Sequence, residues 1–405
     1  MARVLYLTQV LPYPLNTGAR VRQYYVLRYL CQHHTVTLVS FVRDDDRPEH
    51  IEHLKSICAA VYLVPMLRSR WRDLRAVAKS LLTRLPIIIA RDEIESMSAL
   101  LARLAAEEPF DVIHADQVSM SEYGLAGGRA RRVLDLHNAM YVVTERLAAN
   151  EPNLLKRIVL RREAQALSRY EARLCAQYDR VTFVTAEDRE LIQSQIDRQR
   201  MQLPADRFTT IPICIDPSEK QPIVPVAHPH RILSLGVMFW PPNAEGALWF
   251  AREMWPRIRM QHPELTYTIV GKNPPEELQQ LHGQNNIEVL GYVPDLNQVL
   301  AETAAFIVPL RAGGGMRVKI LDTWCWGLPV VSTRIGAEGI QVRTGENILL
   351  ADEADAFASA VLQLVEDTNL NRQLRERGRR WVEENYDWRR IYTAWDEVYS
   401  GLTQA

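Results

Sequence analysis

The chain has 405 residues, 47% hydrophobic and 24% charged, with a formal net charge of −1. This length accommodates two or three domains with large cores, and the composition excludes disorder as the dominant state. Near-neutral charge argues against bulk nucleic-acid binding, although the first 220 residues carry an excess of Lys and Arg and the remainder an excess of Asp and Glu.

The N-terminal MARVLYLTQVLPYP reads as a short strand and a Pro-rich turn, without the apolar core and cleavage site of a signal peptide. VLYLTQV, TVTLVSF, AVYLVP, DVIHA, RVLDLH and RVTFVT follow as β-type runs separated by helical stretches such as RVRQYYVLRYLCQ. Such alternation predicts parallel strands joined by crossover helices. Within this half, Leu67, Trp71, Leu74, Ala78, Leu81 and Leu85 recur at spacings of four and three. Arg68, Arg70, Arg72, Arg75, Lys79 and Arg84 face only Asp73 in the same window. A basic amphipathic helix of this kind can lie on an anionic membrane, or pack on its own domain with the basic face in water. The acidic run Asp44-Asp45-Asp46 reads as a solvated turn.

Residues 217–231, PSEKQPIVPVAHPHR, are Pro-rich and aperiodic, as expected of a linker. RILSLG, TYTIVG, IEVLGYV, AAFIVPL, PVVST and NILLA then predict a second sheet. From Ala354 the pattern is helical, with ENYDWRR a break before a last helix ending near Leu402. The expected architecture is α/β: two doubly wound Rossmann-like domains, 1–216 and 232–385, facing each other across a cleft. The linker is 217–231, and the C-terminal helix 386–405 is able to return to the first domain. No apolar run is long enough to span a bilayer. Cys31, Cys58, Cys175, Cys214 and Cys325 show neither CxxC nor His–Cys ligand spacing, so no disulfide framework or zinc site is expected and a reducing, cytoplasmic compartment is the natural reading.

The chemistry concentrates in residues 311–333, RAGGGMRVKILDTWCWGLPVVST. Helix N-termini disfavour cations, yet Arg317 and Lys319 stand where a helix begins. Gly313, Gly314 and Gly315 allow a ligand close approach to backbone N–H groups, and a phosphate or diphosphate there would explain both cations. The alternative is an ordinary loop from which both cations reach solvent. GGGMRVK is neither a P-loop nor a dinucleotide fingerprint: Val318 occupies a required glycine position of each, and no Ser or Thr follows Lys319. Gly18 and Arg20 in LPYPLNTGAR, and His137-Asn138 after RVLDL, fall at strand ends on the same sheet edge where ligands bind. Lys319 and Asp322 share a helix face and could simply pair. Trp324 and Trp326 are expected to pack on the sheet, and Cys325 to be a small core residue.

LTQVLPYPLNTGARVRQYYVLRYL, DLHNAMYVVTERLA, YEARLCAQYDRVTFVTAEDRE, LGVMFWPPNAEGALWFARE, GYVPDL and VPLRAGGGMRVKILDTWCWGLPVVSTRIGAEGI together resemble bacterial glycosyltransferases of family 4, in the branch used for exopolysaccharide and cell-envelope assembly. The resemblance covers nearly the whole chain. It implies the GT-B fold, a nucleoside-diphosphate sugar on the C-terminal domain, an acceptor on the N-terminal domain, and retaining transfer without a tightly held metal or other cofactor. Many members carry two glutamates with seven residues between them. Asp322 matches the second, which holds the ribose, whereas Gly314 stands where the first would be. An arginine and a lysine common in the first C-terminal loop are absent from GVMFWPPN, and Arg317 and Lys319 take that part. The paired glycines of the N-terminal loop become Gly18-Ala19.

The donor-binding set is therefore Gly18, Gly313, Gly314, Gly315, Met316, Arg317, Lys319 and Asp322. Arg317 and Lys319 are expected to stabilise the leaving diphosphate, and His137 to contact the donor sugar or reacting centre. The expected partners are a nucleotide sugar, a glycan or lipid-linked acceptor and an anionic membrane surface, with no nucleic acid and no metal. Alternatives are a catalytically silent nucleotide-sugar-binding protein, suggested by Gly314, and a nucleotide-sugar 2-epimerase of the same fold. A glycoside hydrolase lacks an assignable carboxylate pair.

Overall fold

The computed structural model describes residues 1–44, 46–66, 69–107, 109–126 and 128–403. Asp45 of the acidic run, and Leu67 and Arg68 of the amphipathic window, lie outside them. The chain forms two compact units, Met1–Cys214 together with Trp388–Ala405, and Ile215–Asp387.

In chain order the first unit contains β1 (Arg3–Thr8), α1 (Gly18–His33), β2 (Thr35–Val42), β3 (Ala60–Pro65), α2 (Arg70–Thr83), β4 (Val112–Asp116), β5 (Arg131–Leu136), α3 (Met140–Asn150), α4 (Leu154–Gln177), β6 (Arg180–Phe183) and β7 (Phe208–Thr210). The strands form one parallel sheet in the order β3-β2-β1-β4-β5-β6-β7. Every residue of β4 is buried, as a strand covered on both faces requires. Strand order reverses between β1 and β4, the switch point where such sheets leave a crevice at the carboxyl ends of their strands. The expected series omitted β7. Its three residues, FTT, contain no apolar run, and it forms only by pairing with β6 at the sheet edge.

The second unit contains β8 (Arg231–Leu235), α5 (Pro241–Trp249), β9 (Thr266–Val270), β10 (Ile287–Gly291), β11 (Thr303–Val308), α6 (Val318–Cys325), β12 (Val330–Ser332), β13 (Leu349–Leu350) and α7 (Thr368–Asn385). Its parallel sheet runs β10-β9-β8-β11-β12-β13, with the switch point between β8 and β11. Trp324 is fully buried, and its indole N–H donates to the Asn347 carbonyl at 3.0 Å. A Cβ on Gly378 of α7 would stand 2.5 Å from that indole. Only glycine lets α7 approach so closely, and Cys325 is likewise buried.

Residues 217–231 lie within the second unit. Ile223, Val226 and His230 donate backbone hydrogen bonds to the carbonyls of Trp326, Ala301 and Glu302 at 2.9, 3.0 and 2.9 Å. Arg379 of α7 donates to the carbonyls of Lys220 and Pro217 at 2.7 and 3.0 Å, and Arg375 to that of Ile223 at 3.0 Å. A Pro-rich segment cannot form regular ladders, but its carbonyls remain acceptors, and here two arginines use them. The chain re-enters the first unit at Trp388. There the last helix, α8 (Ala394–Thr403), buries Trp395, Val398 and Tyr399, and Tyr399 bonds His114 at 2.7 Å.

Candidate functional site

At the switch point of the second unit, β8 is followed directly by Gly236 and β11 leads into the glycine loop. Gly313 and Gly315 have φ of 127° and 71°, conformations that side chains rarely adopt, so the loop requires glycine at these two positions. A Cβ on Gly313 would also stand 2.6 Å from the Arg317 guanidinium. Arg317 is the cap residue of α6, and its guanidinium folds back over the loop to the carbonyls of Gly314 and, at 2.6 Å, Gly315. The Met316 side chain is buried, which leaves its backbone as the part available to a ligand.

Lys319 points to the β8 loop. Its ammonium donates to the Asn243 carboxamide oxygen at 3.0 Å, while the Asn243 amide donates to the Val237 carbonyl at 3.0 Å. A Cβ on Gly236 would lie 2.8 Å from the Lys319 Nζ, so the chain presses backbone and ammonium together. Burial, with the Arg317 charge beside it, brings the Lys319 ammonium down to about 7. Among the described residues no carboxylate pairs with Lys319. Asp322, one helical turn on, accepts instead from Lys220, whose ammonium also lies 5.4 Å from the Trp326 ring centroid. Lys319, buried against a neutral amide with a second cation beside it at a glycine loop, is therefore a group whose charge an anionic ligand would compensate.

The first unit holds a different cluster. Asp116 ends β4, and Asp135 and His137 flank the end of β5. The His137 Nε2 lies 2.9 Å from Asp116 and 3.8 Å from Asp135, and its Nδ1 meets the Gln117 side chain at 3.0 Å. Arg22 of α1, fully buried, places Nε and Nη2 on the two Asp135 oxygens at 2.9 and 3.1 Å. Its Nη1 donates to the Pro212 carbonyl at 2.8 Å and to Tyr392 at 3.3 Å. Thr182 adds a bond to Asp135 at 2.7 Å, and Gln23 one to Asp116 at 2.5 Å. Burial pushes Asp116 up and His137 binding opposes this. For Asp135 burial works in the same direction, but Arg22 and His137 overcome it and hold the carboxyl at about 2. Burial would likewise lower His137, yet Asp116 and Asp135 keep it above its ordinary value. The ligand atoms of Asp116, Asp135 and His137 lie within 4.8 Å of one another, as a metal trio would. Arg22 already occupies Asp135 from both oxygens, however, so a divalent ion would have to displace a buried guanidinium.

Residues 17–213 match the family model described as Glycosyl transferase 4-like domain, and residues 229–367 match Glycosyl transferases group 1. The chain is a glycosyltransferase of this family. An uncharacterized 44.6 kDa protein in the cps region of Klebsiella pneumoniae is 23% identical to it, over 97% of this chain and 99% of that one. The lipopolysaccharide core biosynthesis glycosyltransferase LpsE of Rhizobium meliloti (strain 1021) is 41% identical over 23% of this chain and 27% of its own. Among solved structures, Anabaena HepE in complex with UDP and glucose superposes with a TM-score of 0.66 at 14% identity, covering 99% of this chain and 100% of that one. Sucrose-phosphate synthase from Thermosynechococcus elongatus gives 0.69 at 17% identity, covering 99% of each. The two parallel sheets are those of the GT-B fold.

In this glycosyltransferase the sequence-selected residues fall into two sets. Gly18 and His137 belong to the first unit, and Gly313 to Asp322 to the second. Gly18 opens α1 without a left-handed backbone. His137 is only 6% exposed, with both ring nitrogens engaged, a more enclosed position than a residue at a strand end suggested. The alternative in which Lys319 simply pairs with Asp322 is not what forms: Asn243 holds Lys319 and Lys220 holds Asp322. Asp46, read as part of a solvated turn, instead has a covered carboxylate that accepts from Arg20 at 2.9 Å. Sequence reasoning missed Asn243, Lys220, Arg22 and Gln117. Asn243 closes the quoted GVMFWPPN loop, and a neutral carboxamide there carries no sequence sign that it holds Lys319. Gln117 gave no sequence signal, yet its φ of 67° is unusual for a residue with a side chain, and such conformations concentrate at functional sites.

Proposed function

We propose that this glycosyltransferase moves a sugar from a nucleoside-diphosphate donor to a hydroxyl acceptor with retention of configuration, in the cytoplasmic assembly of an exopolysaccharide or cell-envelope glycan. The observation that carries the reading is Lys319, held by a neutral amide beside a second cation at the glycine loop of a switch point. A diphosphate would supply the missing charge, with the loop amides and Arg317 as further donors. One protein of the same fold, Anabaena HepE, has been solved with UDP and with UDP-glucose, and relatives are named for a cps region and for lipopolysaccharide core biosynthesis.

The bond between the anomeric carbon and the diphosphate oxygen breaks as the acceptor oxygen attacks from the same face, and the departing phosphate oxygen takes the acceptor proton. No carboxylate base is then needed, which accommodates glycine at position 314. Lys319 and Arg317 stabilise the charge that grows on the leaving group and stand in for a metal ion. Asp322 accepts from the ribose once Lys220 yields it, and Gly18 gives the N-terminal loop access to the diphosphate. His137 contacts the donor sugar or reacting centre, and for that Gln117 must release Nδ1. The acceptor, a glycan or lipid-linked saccharide, is assigned to the first unit, and a lipid-linked one calls for contact with an anionic membrane. A chain with Gly314 in place of the motif carboxylate could also bind a nucleotide sugar without reacting.

A panel of nucleoside diphosphates in thermal shift, followed by transfer and donor-hydrolysis assays with and without EDTA, tests the reading. Stabilisation by one diphosphate and EDTA-insensitive turnover are expected. Binding without turnover would leave the silent protein, and loss of turnover in EDTA restored by magnesium would refute metal independence.

A further inference from the structure

The apolar stripe of α2 does not face its own domain. Trp71, Leu74, Leu81 and Leu82 are exposed, Trp71 by 76% and Leu82 by 87%, whereas the buried face is the narrow strip of Ala76 and Ser80. The first turns of α4 repeat the anomaly: Leu154, Leu155, Ile158 and Val159 are each more than half exposed. These two helices are fastened side by side. Arg162 of α4 donates to the Ser80 hydroxyl and carbonyl at 3.2 and 3.0 Å, and Glu163 accepts from the Ile87 and Ile88 amides at 2.9 and 3.1 Å. Among the described residues, exposed large apolar side chains elsewhere occur singly or in pairs along the sequence, so this concentration is not ordinary surface.

We infer that α2 and the first two turns of α4 form one composite platform that seats the first unit on an anionic lipid surface. Arg75, Arg84, Lys156, Arg157 and Arg161 accompany the apolar side chains, while Asp73 is the sole carboxylate of α2 and residues 154–162 contain none. Apolar side chains among cations match the acyl boundary and headgroups of an anionic bilayer. A second copy of the chain fits poorly, because a two-fold pairing would set these cations against themselves. No described helix is long and apolar enough to cross a membrane, so the platform lies on the surface. The sequence pointed to α2 alone; α4 supplies four of the eight exposed apolar side chains named above and part of the charge.

The inference deepens the lipid-linked-acceptor reading but is tested without any donor or acceptor, so its failure leaves glycosyl transfer standing. The full chain is floated with phosphatidylglycerol-containing and with pure phosphatidylcholine vesicles, and its oligomeric state is followed by sedimentation. Binding to the anionic vesicles is expected, at least about tenfold tighter than to neutral ones and weakened by salt. The α4 variant Leu155→Ser/Ile158→Ser should lose about tenfold or more with circular dichroism unchanged, since both side chains are exposed. Arg75→Gln/Arg157→Gln should lose about tenfold on anionic vesicles only. Equal binding to both vesicle types, wild-type binding by the α4 variant, or concentration-dependent dimerisation without vesicle binding would overturn it.

Discussion

The two units carry their charge in opposite ways at equivalent places in their sheets. In the first, Arg22, Asp135, Asp116 and His137 are buried together, and each charge meets an opposite one within hydrogen-bonding distance. In the second, Lys319 meets a neutral amide and a neighbouring cation. The contrast shows that ionic groups at a switch point are not by themselves evidence of a ligand site. A network that neutralises itself can serve to fix the ends of β4 and β5 and the return of the C-terminal segment through Tyr392. A site that keeps net charge has stability to gain from a partner.

Removing a charge should therefore have opposite consequences in the two units. The largest effect is expected for Arg22→Ala, which leaves Asp135 buried without its guanidinium. Breaking such a pair costs about 3–5 kcal/mol, to be measured by denaturant unfolding, with little change expected if the network were dispensable. Lys319→Ala should leave the free protein equally stable or more so, yet weaken nucleoside diphosphate by about 1.5–3 kcal/mol while sparing the uncharged nucleoside. Calorimetry on the variant makes that comparison, and equal affinity in both proteins would remove the distinction between the units. Asp322→Asn should weaken nucleoside and diphosphate alike, by about 1 kcal/mol, because the free carboxylate must first give up Lys220.

The units also differ in pH dependence, where the sign of the effect is opposite. Lys319 has its folded value depressed to about 7, so its unfolded form holds more protons between about 7 and its ordinary value near 10.5. Its contribution to stability therefore rises with pH across that window. His137 is held above its ordinary 6.5, so its contribution is complete below that value and is lost as pH rises through the folded one. Amide exchange followed separately in α6 and β5 should show these opposite trends. Diphosphate should raise Lys319 again, so binding at pH 8 should take up protons, and its affinity should fall as pH climbs above about 7. Calorimetry in buffers of different ionisation enthalpy measures that uptake.

The strand runs were legible because strands buried on both faces are predominantly apolar, and RILSL, TAAFIV and RVLDL stand out against their neighbours. The short β7 was not, since FTT becomes a strand only when an edge is offered to it. Glycines beside Arg317 and Lys319 were equally readable, because cations at a helix start conflict with the local backbone dipole, a conflict that exists in the sequence before any folding. The sequence by itself determined the order of elements, the glycine loop and the cations that make it attractive to an anion, since all of these follow from interactions between near neighbours in the chain. The tertiary structure alone decided that Lys319 takes Asn243 and Asp322 takes Lys220. It also joined Asp135 and Tyr392 around the Arg22 guanidinium and Asp116 to His137, and turned the apolar side chains of α2 and α4 outward together. Coulombic and hydrogen-bond partners are chosen by proximity in space, and residues 22, 135 and 392 become neighbours only after two sheet strands, a helix and a returning C-terminus have packed.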